Sequence, residues 1–305
     1  MKRQGALSVL DLTDERGRLC CRLLADMGAE VVRVEKPETL RRLVKTADVL
    51  VESFAPGYLP SLGLGYPELA QINSRLVMAS ITPFGQSGPY RDYKSCDIVA
   101  SALGGQLYVS GEPESPPLKP FGNQSYYLGS LFAAIGVLLA LWHRRSSGKG
   151  QHIDISLQEG VASALDHVLV RYFYQGAVAE RRGSLYWNGA FNIFPCKDGY
   201  ILLSLFHQWE TLVEWLASEG MAEDLTRKKW LDRDYRFQHL DHVIEVLTRW
   251  TKKHNVTELV EKGQAMRFPW AEVVSISKLL SSPQLEARNF RPHFRAFCFP
   301  YPPAQ

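Results

Sequence analysis

The sequence predicts an α/β protein: a Rossmann-like large domain built on a parallel sheet, followed by a smaller α+β domain. Three observations carry this. Short strand-like runs alternate with helix-patterned segments from residue 6 to about 107. An apolar segment, 126–142, passes through a basic end and a glycine-bearing turn straight into a further strand, 152–156. Beyond about residue 185 the alternation stops, and a hairpin pattern gives way to amphipathic helices.

Taken in order, ALSVLDL (6–12) reads as a strand buried on both faces, and 17–27 as a helix with Leu19, Leu23 and Leu24 on one side, closed by Gly28. EVVRVEK is the next strand. The loop between, Thr13 to Gly17, lacks the glycines of a dinucleotide fingerprint, and Asp14 and Glu15 suit a helix start rather than a phosphate. TLRRLVKTA then predicts a helix, DVLVESF a strand, residues 66–72 a short helix and RLVMASITPF a strand. Residues 97–107 form a helix that ends at Gly104 and Gly105.

The segment 126–142 is 17 residues long, at the lower edge of a membrane span. Its small residues Gly129, Ser130, Ala133, Ala134 and Gly136 suit close packing on a sheet. It is therefore read as a core helix, apolar and buried all round. Arg144, Arg145 and Gly148 match a dipole-complementing end and a helix stop. A helix over 160–174 follows the strand. GAFNIFPCKDGYILLSL reads as a hairpin turning at residues 196–199, residues 207–279 as amphipathic helices, and the proline- and aromatic-rich tail as an extended strap. The division is 1–185, 186–287 and 288–305.

The chain of 305 residues is 46% hydrophobic and 22% charged, ordinary for a globular protein. A net charge of +3 argues for neither nucleic acid nor a membrane surface. Five cysteines without framework spacing read as reduced thiols of a cytoplasmic protein. His239 and His242 share a helix face but have no third ligand nearby, so no metal is expected.

Several stretches together resemble the family III CoA-transferases: VLDLTDERGRLCCRLLADMGAEVVRVEKP, ADVLVESFAPGYLPSLGLGYPELAQINSRLVMASITPFGQSGPY, CDIVASALGGQLYVSGEP, GSLFAAIGVLLALWHRRSSGKGQHIDISLQEG and FPCKDGYILLSL. The LTDERG loop is similar to subunits of benzylsuccinate-type enzymes. The resemblance implies an interlocked dimer, coenzyme A or acyl-CoA as substrate, and a carboxylic acid as CoA acceptor. By motif, Arg16 and Gly17 fall in the loop that touches the nucleotide in such proteins. Lys36 matches a cation for a CoA phosphate. Ser53 and Phe54 fall on the Asn-Phe of a VENF segment, with Phe54 facing the adenine. A plainer reading makes Lys36 a solvated strand end, Phe54 core and Gly17 a helix start.

In family members an aspartate in a D-x-x-x-G pattern attacks the acyl-CoA thioester and ends up carrying CoA as an aspartyl thioester, which the acceptor acid then collects. Here that position holds Ser125, or Tyr126 if the alignment slips by one. Serine would form an ordinary ester and could move only the acyl group. The position of the racemase histidine holds Cys96. Glu38-Thr39 runs almost directly into Leu40, where relatives have a long intervening segment. Asp154 and Glu159 read as structural, and Glu112 and Glu114 sit on a proline-rich loop. The reading favoured is a nucleophile-lacking subunit that works with a paralogous catalytic chain. The alternatives are a non-catalytic CoA or acyl-CoA binding protein, and altered thioester chemistry at Ser125 or Cys96.

Overall fold

The computed structural model describes residues 6–36 and 39–290. The chain divides into two compact units, Met1–Gly183 and Ser184–Gln305.

The first unit is built on five parallel strands, β1 (Ser8–Leu12), β2 (Glu30–Arg33), β3 (Val49–Glu52), β4 (Val77–Thr82) and β5 (His152–Ser156), in the order β2-β1-β3-β4-β5. β1 lies at the centre of the reversal, with Val9 opposite Val31 on one side and Val49 on the other. β1, β3 and β4 are mainly apolar and buried along their whole length, because both sheet faces are covered. On one face Val9, Val51, Ala79 and Ile81 pack against Cys20 and Leu24 of α1 (Arg18–Asp26) and Ala133 and Val137 of α6 (Gln124–Ser147). On the other, Leu10, Leu50 and Met78 meet Leu40 and Val44 of α2 (Leu40–Val44) and Leu69 of α4 (Tyr66–Ile72). A short α3 (Tyr58–Ser61) precedes α4, and α5 (Asp97–Leu103) precedes α6. Buried Cys20 has its thiol pushed up to about 12, chiefly by desolvation, so it behaves as a small hydrophobe.

Helix α6 is 24 residues long, and by length and composition it could cross a membrane. Its inner face is packed so closely that a Cβ on Gly129 would clash with a methyl of Leu157, the residue that follows β5. It closes at Gly148, left-handed with φ 72°. Arg144 does more than face the helix dipole. It is buried, pairs with Asp48 at 2.9 Å and donates to the Arg75 carbonyl at 2.8 Å, tying the helix end to the strand starts.

Two expectations need correction. The helix is not buried all round: Leu131, Ile135, Leu138, Leu139 and Trp142 are exposed along its outer face. Uniform apolarity hides which face meets the sheet. The single helix expected over 160–174 is two, α7 (Leu157–Ser163) and α8 (Asp166–Gln175). The first starts early because the Ser156 hydroxyl caps the Glu159 N–H at 3.2 Å. Asp166 then opens the second.

In the second unit β6 (Phe191–Pro195) and β7 (Tyr200–Ser204) form the expected antiparallel hairpin, its turn closed by Cys196 N–H donating to Gly199 at 2.8 Å. A two-residue strand that the sequence did not signal, β8 (Ala271–Glu272), pairs on β7. Around them lie α9 (Trp209–Ser218), two 3-10 turns (Glu223–Thr226 and Lys228–Leu231), α10 (Arg233–Gln238), α11 (Leu240–Thr251), α12 (Val256–Ala265), α13 (Ile276–Leu280) and α14 (Pro283–Ala287). The core is aromatic: Trp230, Trp250, Trp270, Phe194 and Phe268 are buried, with Trp215 stacked on Trp270 at 5.7 Å. His239 and His242 go separate ways, to the Tyr235 carbonyl at 2.8 Å and to Asp224 at 2.6 Å. Among the described residues no group of three or more metal-type ligands gathers. The strap expected over 288–305, with Cys298, lies almost wholly outside the described residues.

Candidate functional site

The chain leaves β1 for β2 on one side and leaves β3 for β4 on the other, so a crevice opens at the carboxyl ends of β1 and β3. Its floor is set by Asp11. One oxygen of that carboxylate accepts the Thr13 N–H (2.8 Å) and hydroxyl (2.7 Å), and the other accepts Arg33 at 3.0 Å. The end of β2 is thereby fixed against the end of β1.

Two loops meet over this floor. Ser53, just after β3, accepts the Asp14 N–H and donates its hydroxyl to the Asp14 carboxylate, both at 2.8 Å. Asp14 in turn grips Arg16 through Nε at 2.8 Å and Nη2 at 2.5 Å. Burial works against this carboxylate, but the bonds and charge of Arg16, with Ser53, hold it below the usual range. The acid expected at the helix start is thus neutralised by the next residue but one. The Arg16 carbonyl is held by the Ser130 hydroxyl of α6 at 3.0 Å. Gly17 is buried, and a Cβ there would stand 2.6 Å from the Thr13 methyl and 3.0 Å from Ile81. Ser53→Ala is expected to cost about 1–2 kcal/mol, readable as a shifted denaturant midpoint, because it leaves the Asp14 N–H unpaired.

Phe54 is half-buried, with its ring 4.8 Å from Tyr58. Its N–H donates to the Glu52 carboxylate at 2.7 Å. Lys36 is exposed just past β2, and its carbonyl accepts from Thr39. The five nucleotide-side residues read from the sequence therefore lie on the loops after β1, β2 and β3, at one end of the sheet. Ser53 has its hydroxyl committed within the protein, and Gly17 offers backbone alone.

Sequence reasoning passed over Glu52. It is buried at the end of β3, and its carboxyl is pushed up to about 6, chiefly by desolvation, against the pull of Ser80, the Phe54 N–H and Arg16. A raised carboxyl holds its proton more tightly in the folded chain. Its contribution to stability is full below the ordinary value of 4.5 and is lost as pH rises through about 6. At pH 7 the ionised form costs about 2 kcal/mol. Glu52→Gln keeps an acceptor for the Phe54 N–H. It is expected to stabilise the fold at pH 7 by about 1–2 kcal/mol and to flatten the pH dependence of the denaturant midpoint between the two values.

The second half of the site is the N-terminus of α6. Ser125 is fully buried there, at 0% exposure. Its backbone N–H (2.9 Å) and hydroxyl (2.8 Å) both donate to one oxygen of Asp97, the first residue of α5. The other oxygen meets Lys119 at 2.8 Å as an ion pair, while the ammonium also donates to the Pro120 and Gly122 carbonyls. Asp97 thus caps a helix across the fold, where a carboxylate suits the positive end of the dipole. Tyr126 joins the two halves: its hydroxyl, pushed up by burial, feels Glu15 and Arg16 from the β1 loop and Cys96 and Asp97 from α5. Cys96 is exposed beside Asp97. Asp154 accepts the Gln86 N–H at 2.9 Å and anchors the loop after β4.

This end of the sheet carries exposed Lys36 and the carboxylate-paired Arg16 and Arg33. At Ser125 it offers no free carboxylate, since both Asp97 oxygens are engaged. Residues 37–295 match CoA-transferase family III. The chain belongs to that family. Among family III relatives, the succinyl-CoA:(R)-benzylsuccinate CoA-transferase subunit BbsE of Thauera aromatica is 32% identical, over 92% of this chain and 81% of that protein. The beta subunit of succinyl-CoA–L-malate CoA-transferase from Chloroflexus aurantiacus is 30% identical over 88% and 78%. A CAIB/BAIF family protein from Brucella suis has the same fold, with a TM-score of 0.84 at 25% identity, covering 92% of this chain and 86% of that one. The family and the α/β fold read from the motifs are those of the chain.

Proposed function

We propose that this chain is the nucleophile-lacking subunit of a heteromeric family III CoA-transferase. It holds the CoA moiety while a paralogous partner supplies the aspartate that takes CoA from an acyl-CoA and passes it to a carboxylic acid. The observation that carries the reading is Ser125, a fully buried hydroxyl donated to Asp97 where the family's nucleophilic carboxylate is expected. An exposed nucleophile is required to reach a thioester, so the same burial speaks against acyl transfer through Ser125.

Two further features support a partner. The outer face of α6 is apolar and exposed, and Tyr172, Phe173 and Tyr174 of α8 are exposed as well, more apolar surface than a lone soluble chain usually carries. The similar proteins from Thauera aromatica and Chloroflexus aurantiacus are named as subunits.

On this reading Lys36 meets a CoA phosphate and Phe54 packs on the adenine, with Arg16 held ready by Asp14. Lys36→Glu is expected to weaken CoA binding roughly thirtyfold, by turning an attraction of about 1 kcal/mol into a comparable repulsion at an exposed site. Calorimetric titration of CoA into the variant measures this. An unchanged affinity, with the fold intact, would place the phosphates elsewhere.

A further inference from the structure

The second unit contains a buried cation that nothing in the proposed reaction uses. Arg236 of α10 is only 6% exposed. Its Nη1 donates to the carbonyls of Trp230 (2.6 Å) and Leu231 (3.0 Å), and its guanidinium lies 4.8 Å from the Trp209 ring and 5.7 Å from Phe206. Its Nε has no hydrogen-bond partner, and neither does the indole Nε1 of Trp209, itself 5% exposed. Burial and the adjacent Arg233 push the guanidinium below its usual value, and Asp232 offsets the least of the three. Asp232 spends a carboxylate oxygen on the Tyr235 N–H at 2.9 Å. Leaving a charge buried without a counter-ion is costly.

Both side chains line one open cavity of about 420 Å³, together with Gln208, Glu210, Thr211 and Leu231. Three of these residues are the first turn of the ten-residue helix α9. No side chain caps that helix, so its leading N–H groups face outward with the positive end of the dipole. Gln208, just before it, is held left-handed at φ 46° and ψ 49°, a conformation that costs a non-glycine residue about 1 kcal/mol. The Arg236 Nε, the Trp209 indole N–H and the uncapped start of α9 are donors without a protein acceptor.

The geometry points to a small-anion site: this cavity binds a carboxylate or phosphate group at the start of α9, with Arg236 as the counter-ion. A planar guanidinium beside a helix start suits either oxyanion. Glu210, exposed at the rim, is the one opposing charge lining the cavity and sets how tightly the anion is held.

The test is calorimetric titration of the full chain with succinate and, separately, inorganic phosphate at constant ionic strength. Saturable binding of at least one is expected; which of the two binds assigns carboxylate or phosphate as the natural group. Glu210→Gln should tighten it by roughly two- to fivefold, the worth of one charge at a helix start, and Arg236→Met should abolish it. If Arg236→Met fails to fold, Glu210→Gln and Glu210→Lys decide, with affinity rising in that order. Lys36→Glu should leave this binding unchanged while weakening CoA, which separates the site from the CoA reading. Absence of saturable binding by wild type and both Glu210 variants, or affinity indifferent to position 210, would overturn the proposal.

Discussion

Alone, the purified chain is expected to exchange CoA between succinyl-CoA and labelled succinate at no more than the background rate. Mixed with a paralogous chain that carries the aspartate, it should restore exchange by at least about 10³-fold, the scale set by losing a covalent nucleophile. The reason is chemical. The family's reaction needs a carboxylate that forms an anhydride with the acyl group and then keeps CoA as a thioester. At that position here a serine hydroxyl is buried and donated. Asp97 cannot take over while one oxygen accepts two bonds from Ser125 and the other is paired with Lys119. Exchange by the lone chain above background would show that some residue of it carries the chemistry. CoA binding with no exchange in the mixture would favour a non-catalytic CoA-binding protein instead.

The second large effect is structural. Asp97→Ala should lower stability by about 3 kcal/mol, because it strands the half-buried Lys119 charge, leaves the Ser125 N–H without an acceptor and leaves its hydroxyl only the longer bond to the residue 97 carbonyl at 3.3 Å. For a protein of this size that is a fall in melting temperature of roughly 5–10 °C. Asp97→Asn should lose about half as much, since an amide oxygen still accepts from Ser125 while the ion pair is gone. Thermal unfolding of the two variants checks the order. An Asp97→Ala protein within about 1 kcal/mol of wild type would mean that the α6 start is anchored some other way.

Much of this architecture was legible because sheet burial on both faces writes itself into sequence. β1, β3 and β4 read as mainly apolar runs, Gly148 marked its helix end, and the Cys196–Gly199 turn marked the hairpin. What escaped has physical causes. Helix α6 is apolar on every side, so periodicity could not say that Leu138 and Trp142 face outward. The Ser156 cap moved a helix start that the apolar pattern does not register. β8 is two residues long, below any alternation signal. The pairing of Ser125 with Asp97 spans 28 positions between two helix starts, and no local spacing encodes it. Glu52 was visible as a residue, but its raised carboxyl comes from burial in the folded chain, with Asp154 adding to it, and not from its neighbours in sequence. Arg236 looked like one more charge on an amphipathic helix until Trp209 and Phe206 were seen to enclose it.

The most direct measurement is the location of the covalent intermediate. Incubation of the two-chain mixture with succinyl-CoA, followed by trapping with hydroxylamine or borohydride and peptide mass spectrometry, reads which chain carried CoA. The account predicts every adduct on the partner's aspartate and none on this chain. A trapped adduct at Asp97, or at any other residue of this chain, would contradict it.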